Sequence, residues 1–90
     1  MQTHKVVRVK ITEGPLASCC VINWVLESGG GGETPAHLID DVDRFLTEHG
    51  LDRDAAVWGP GALRKLVELD EADGGLHRPR TQALRAQLAG

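Results

Sequence analysis

The stretch "KVVRVKITEGPLASCCVINWVL", residues 5–26, contains the two most strand-like runs of the chain. Apolar and basic residues alternate along the first run, which is the two-residue period of a half-buried strand over residues 5–11. The alternation places two sets of side chains on opposite sides: Val7, Val9 and Ile11 on one, and Val6, Arg8 and Lys10 on the other.

The second run, "CCVINWVL", is rich in β-branched and aromatic residues, which favour strand over helix. Gly14 and Pro15 precede it as a turn signal, so the two runs together predict a β-hairpin over residues 5–26. A helix is the alternative, beginning with Pro15 as its first residue and ending near Gly29. The sequence leaves the choice between strand and helix open for residues 15–28.

Four consecutive glycines, residues 29–32, follow the hairpin. A phosphate-binding loop would require a lysine followed by serine or threonine, but Glu33 comes next and its carboxylate would repel an anion. An unbroken glycine run behaves as a flexible coil, so residues 29–33 are predicted to be a hinge. Either a natural loop or an engineered linker is consistent with this composition.

The next segment, "ETPAHLIDDVDRFLTEHGL", predicts an amphipathic helix over residues 35–49, with Thr34 as its cap and Pro35 in its first turn. Gly50 stands where a left-handed residue ends a helix, and Leu51 is placed to fold back on the last turn. The apolar stripe of this helix recurs at helical spacing: Leu38, Ile39, Val42, Phe45 and Leu46.

Weaker helical patterns fill the rest of the chain. We expect a short helical turn within residues 52–58, a helix over residues 62–72, and a last helix with Pro79 in its first turn. The fold class is therefore α+β: an N-terminal β-hairpin, a glycine-rich loop and about three short helices in a single small domain of residues 1–90, with residues 34–89 as the helical segment. Because a two-stranded hairpin alone is marginal in water, we also expect a homodimer formed through the strands.

The composition, 41% hydrophobic and 26% charged, is typical of a soluble globular protein. No apolar run approaches the roughly 18 residues needed to cross a bilayer, and the N-terminus lacks the apolar core of a signal peptide. We therefore expect a cytoplasmic protein, and the bias toward Ala, Gly, Arg and Asp suggests a bacterial one. Cys19 and Cys20 are adjacent, so they are expected to be reduced thiols rather than a disulfide.

Charge is unevenly distributed: residues 33–73 contain eleven acidic and four basic residues. Three carboxylates, Asp40, Asp41 and Asp43, fall in the predicted helix 35–49. Trp58 precedes "GPG", and tryptophan is enriched where proteins bind each other, although burial in the core is its more common fate. These residues predict a small non-catalytic regulatory or adaptor protein that binds another protein through an acidic helical surface.

DNA binding is the alternative hypothesis. Arg8 and Lys10 share one side of the first strand, where they would contact phosphates or a groove. The C-terminal helix supplies a second candidate set: Arg78, Arg80 and Arg85.

We predict no catalytic site, metal site or cofactor. The cysteines lack the spacing of zinc ligands, and no histidine pair has ligand spacing; the histidines are His4, His37, His49 and His77. Carboxylates that lie close together on helices are ordinary surface features and do not by themselves indicate an enzyme.

Overall fold

The structure, a computed structural model, describes residues 5–16, 19–52, 56–75 and 78–89. These residues form an α+β fold, a four-stranded sheet with three helices, so the predicted class, the hairpin and the three helices are confirmed. The elements are β1 (Val6–Glu13), β2 (Cys20–Leu26), β3 (Gly31–Ala36), α1 (Ile39–Glu48), β4 (Ala56–Trp58), α2 (Pro60–Ala72) and α3 (Pro79–Ala89).

The hairpin is antiparallel, with Ile11 of β1 opposite Ile22 of β2. The alternative helix over residues 15–28 is therefore wrong, because the run of β-branched residues gains more from pairing with β1 than from helix formation. In the connection between β1 and β2, the Gly14 amide donates a hydrogen bond to the Cys19 carbonyl at 3.2 Å.

A β-bulge at Val7 corrects the predicted sides of β1. Val6 pairs with Leu26 and Arg8 with Val25, so that Val7 has no partner of its own. The extra residue shifts the alternation by one position. As a result Val6 is buried with Val9 and Ile11, whereas Val7 is exposed.

The glycine run is a turn and part of a strand, which corrects the predicted hinge. Gly29 adopts a φ of 99°, and its amide donates to the Leu26 carbonyl at 2.9 Å, closing the turn between β2 and β3. Gly32 lies in β3 under Trp24, where an added Cβ would be 2.6 Å from the indole ring. The glycines therefore permit a tight turn and the close approach of Trp24 to the backbone of β3. Gly31 and Gly32 themselves pair with β2.

Helix α1 begins four residues later than predicted, because Thr34 and Pro35 belong to β3. The Asp41 carboxylate caps the helix by accepting hydrogen bonds from the amides of His37 (2.9 Å) and Leu38 (3.3 Å). The predicted end of the helix is confirmed: Gly50 has a φ of 68°, and the Leu51 amide donates to the Leu46 carbonyl at 2.8 Å.

Strand β4 replaces the short helical turn predicted within residues 52–58, of which residues 53–55 lie outside the described part of the chain. It runs parallel to β1, with Ala56 opposite Val9 and Trp58 opposite Ile11. The sheet order is β3-β2-β1-β4, so α1 connects one edge of the sheet to the other.

The core lies between one face of the sheet and the helices α1 and α2, which contact it, while α3 packs on α2. Four residues of the predicted apolar stripe, Ile39, Val42, Phe45 and Leu46, are buried in the same cluster as β1, whereas Leu38 precedes the helix as its N-cap residue. This cluster comprises Val6, Val9, Ile11, Cys20, Ile22, Ala36, Ile39, Val42, Phe45, Leu46, Ala62, Leu66, Val67 and Leu84.

Candidate functional site

The sheet has one covered and one uncovered face. Along β1 the side chains of Val9 and Ile11 are buried under the helices, while Arg8 and Lys10 between them are exposed. The pairing register carries this alternation across the sheet, because directly paired residues project to the same side. We call the uncovered side the open face; its side chains are Arg8, Lys10, Thr12, Val21, Asn23, Val25, Glu33, Pro35 and Val57.

Valine side chains are unusually accessible on and beside the open face. Val25 is 38% exposed and Val57 is 60% exposed. Val7, the bulged residue of β1, is 55% exposed. Single exposed apolar residues are ordinary, but several around one sheet face form a surface from which a partner can exclude water.

The open face also has a defined charge pattern. Lys10 pairs with Asn23, and Asn23 pairs with Glu33, so these three residues form one row across β1, β2 and β3. Asn23 donates a hydrogen bond to the Thr12 hydroxyl at 3.2 Å, which fixes the polar centre of the row. Within the described residues neither Arg8 nor Lys10 forms an ion pair, so both cations are available to a partner.

Two sets of candidate residues that the sequence assigned to rival functions contact each other. Arg78 donates to Asp40 at 2.9 Å, and Arg80 donates to the other oxygen of the same carboxylate at 2.6 Å. Arg80 also pairs with Asp43. Asp40 and Asp43 of α1 therefore form ion pairs with the arginines beside and within α3, and their charges are compensated within the protein.

A buried carboxylate extends this contact into α2. Asp70 has no exposed surface; it accepts a hydrogen bond from Arg78 at 3.1 Å and another from the buried hydroxyl of Thr81. We call the group of Asp40, Asp43, Asp70, Arg78, Arg80 and Thr81 the charged cluster. The sequence analysis assigned no role to Asp70 or Thr81. The signal for Asp70 was its helical spacing, because it follows Leu66 and Val67 by four and three residues on the buried face of α2.

The remaining candidate residues are also engaged. Asp41 caps α1. Arg85 pairs with Glu71 at 3.0 Å, bridging α3 and α2. Trp58 projects toward the core beside Ile11 and is partly buried, and its buried Nε1 has no hydrogen-bond partner within the described residues. Trp58 thus contributes mainly to the core.

Both cysteines are free and buried, in agreement with the expectation of reduced thiols. Burial raises the pKa of Cys20 to about 11, because its thiolate would lose hydration, and Lys65 offsets this only in part. A nucleophilic cysteine needs the opposite shift. Cys20 therefore serves as a small apolar residue whose Sγ lies 3.7 Å from the Ala62 carbonyl.

The described residues form shallow grooves on the helical side. One, about 640 Å³, lies between α2 and α3 and is bordered by Val67 and Leu88 among charged side chains. The other, about 490 Å³, lies between β3 and α1 beside Phe45. Over the described ranges no three His, Cys, Asp or Glu residues form a group suited to a metal ion, and no helix is long and apolar enough to cross a membrane.

Comparison of the chain with protein-family models, with curated proteins and with solved structures gave no match. The functional argument therefore depends on the surfaces described above.

Proposed function

We propose that this chain is a small non-catalytic protein-binding module and that the open face is its contact surface. The observation that supports this proposal is the asymmetry of the sheet. Helices cover one face, and the other presents accessible valines beside Arg8 and Lys10, which form no ion pair within the described residues. Excluding water from an exposed valine contributes roughly 1–2 kcal/mol. The cations add orientation and selectivity for a partner with acidic groups.

The acidic helical surface is a weaker candidate than the sequence suggested. Asp40 and Asp43 already accept hydrogen bonds from Arg80, and a partner would have to displace these contacts before binding. Such displacement removes much of the gain from a new ion pair. The open face requires no such rearrangement.

We propose the cytoplasm as the place where the module acts. Cys19 and Cys20 are both free thiols, the form that a reducing compartment maintains.

The proposal is tested by placing a charge on the open face. Val57→Asp puts a carboxylate among the exposed valines, so captured protein partners, including a second copy of the chain, should be lost while the fold is retained. The measurement is quantitative crosslinking and mass spectrometry from cells of the native host, with circular dichroism to verify folding. Leu16→Asp is the matched control, because Leu16 is 62% exposed but lies outside the sheet.

Capture that is equal for the wild-type chain, Val57→Asp and Leu16→Asp would refute the assignment of the open face. Loss with both variants would mean that added negative charge alone prevents binding.

DNA binding by Arg8 and Lys10 is the second candidate function, supported by the absence of ion pairs to either residue in the described structure. It predicts fluorescence anisotropy changes on duplex DNA that decrease steeply as salt rises. Arg8→Ala should weaken binding, whereas Arg85→Ala should not, because Arg85 is paired with Glu71. An unchanged anisotropy at low salt would exclude this function.

A further inference from the structure

We infer that the occupant of the open face is a second copy of this chain, packed face to face about a two-fold axis parallel to the strands. The inference depends on the proposed assignment of the open face as the contact surface and specifies the partner. It follows from the order of charged and apolar residues across the sheet.

A two-fold interface uses the same patch on both copies, so the patch must contain both halves of every contact. The open face meets this requirement. Its cations lie on β1, its anion Glu33 lies on β3, and β2 separates them with Val21, Asn23 and Val25. A patch with cations alone would repel its own copy.

The pairing register determines which residues meet. The strand order is β3-β2-β1-β4, so an axis along β2 places β2 over β2 of the partner and β1 over β3 of the partner. Because the axis runs along the strands, each row meets the same row. Lys10 then lies over the partner's Glu33, and two symmetric Lys10–Glu33 ion pairs form.

The same axis keeps like charges apart and brings apolar residues together. The β1 strands of the two copies lie two strands apart on opposite sides of the axis, and each is covered by a β3 strand. Val21 and Val25 of each copy meet the same residues of the partner. Val57 lies beside Lys10, one strand from the partner's Glu33, and shields the ion pair from water.

The area of the open face determines how tightly the two copies are expected to bind. The three overlapping strands are six to eight residues long and about 4.8 Å apart, and together with Val57 they bury on the order of 400 Å² on each copy, at the low end of specific interfaces. The dimer should therefore be concentration-dependent, with a Kd on the order of 10–100 μM.

Sedimentation equilibrium from about 1 μM to about 1 mM tests the inference. The mass should rise from 9.7 kDa toward twice that value. Lys10→Glu places two like charges together at each pair and should weaken the dimer at least tenfold. Lys10→Glu combined with Glu33→Lys exchanges the charges and should restore it, while Leu16→Asp should leave it unchanged.

A chain that stays monomeric to about 1 mM would overturn the inference. So would a dimer that Lys10→Glu leaves intact, such as one formed by pairing of the β4 edges, or a double variant that fails to restore association. Monomeric chain together with capture of another protein that Val57→Asp abolishes would refute self-association and leave the proposed function standing. A dimer indifferent to both Lys10→Glu and Val57→Asp would count against the open face itself.

Discussion

Asp70 connects the three helices, and it lies on the same face of α2 as the core residues Leu66 and Val67. Its carboxylate is buried and accepts hydrogen bonds from Arg78 and Thr81, and Arg78 continues to Asp40 of α1. Burying a carboxylate costs several kcal/mol unless its oxygens accept hydrogen bonds, as both oxygens of Asp70 do.

Asp70→Ala should lower the free energy of unfolding by about 2–4 kcal/mol, because Thr81 loses its acceptor in the interior and Arg78 loses one of its two partners. Urea denaturation monitored by circular dichroism measures the change. Asp73→Ala, an exposed carboxylate at the end of the same helix, is the control and should alter stability by less than about 0.5 kcal/mol. Equal effects of the two substitutions would show that the buried cluster does not stabilise the fold.

Cys20 makes stability sensitive to alkaline pH. In the folded protein burial raises the pKa of its thiol from 9.0 to about 11. Between these values the folded state retains a proton that the unfolded state releases, so stability from this thiol is present below pH 9 and declines as the pH rises through 11. The ultraviolet absorbance of thiolate, taken as wild type minus Cys20→Ala, should titrate near pH 11. A midpoint at the ordinary value of 9.0 would contradict the buried position of the thiol.

Among the elements, α3 is held differently from the others. Only Thr81 and Leu84 of this helix are fully buried among its described side chains, so its apolar contact with the rest of the protein is small. Ion pairs of Arg80 with α1 and of Arg85 with α2 add to the attachment. Partly exposed ion pairs weaken as salt increases, so the docking of α3 should depend on ionic strength.

Arg80→Ala should accelerate hydrogen exchange of the α3 amides about two- to fivefold at low salt, equivalent to roughly 0.4–1 kcal/mol, because α3 loses its ion pairs with Asp40 and Asp43 of α1. Mass spectrometry of exchanged peptides locates the effect. Arg64→Ala is the control, since Arg64 forms no ion pair within the described residues. If salt and Arg80→Ala both leave α3 exchange unchanged, apolar packing alone holds the helix.

Strand β3 is an element that local sequence patterns do not identify. Its residues, "GGETPA", have low strand propensity, so no local signal predicted it. It forms because β2 offers an unpaired edge, and because Gly32 fits beneath Trp24, whose Nε1 donates to Thr34 at 3.1 Å. The helices α1 and α2 were recognised because their apolar spacing is a local property, although the start of α1 was displaced by β3.

At the scale of the whole molecule, a single apolar layer joins the hairpin to the helices. Val42 lies at its centre with no exposed surface, in the same cluster as Val9 and Leu66. The helices seal one side of the sheet, and the side opposite them remains open for binding.

Val42→Asp should unfold the protein, because an unpaired buried carboxylate removes several kcal/mol from a small domain that has only about 5–10 kcal/mol of stability. Far-ultraviolet circular dichroism and one-dimensional NMR would show the loss of structure. Val57→Asp is the matched control and should remain folded, since Val57 faces solvent. A folded Val42→Asp variant would contradict the position of α1 against the sheet.

The sequence by itself determined the α+β class, the hairpin, and the apolar stripe and end of α1, because each depends on residues close together along the chain. It also identified Arg8 and Lys10 as exposed neighbours on one strand. Only the tertiary structure decided that the glycine run begins a strand, that β4 lies parallel to β1, and that Arg78 and Arg80 neutralise Asp40 and Asp43. These features depend on contacts between residues far apart in sequence. The free energy of such contacts cannot be read from a short stretch of sequence.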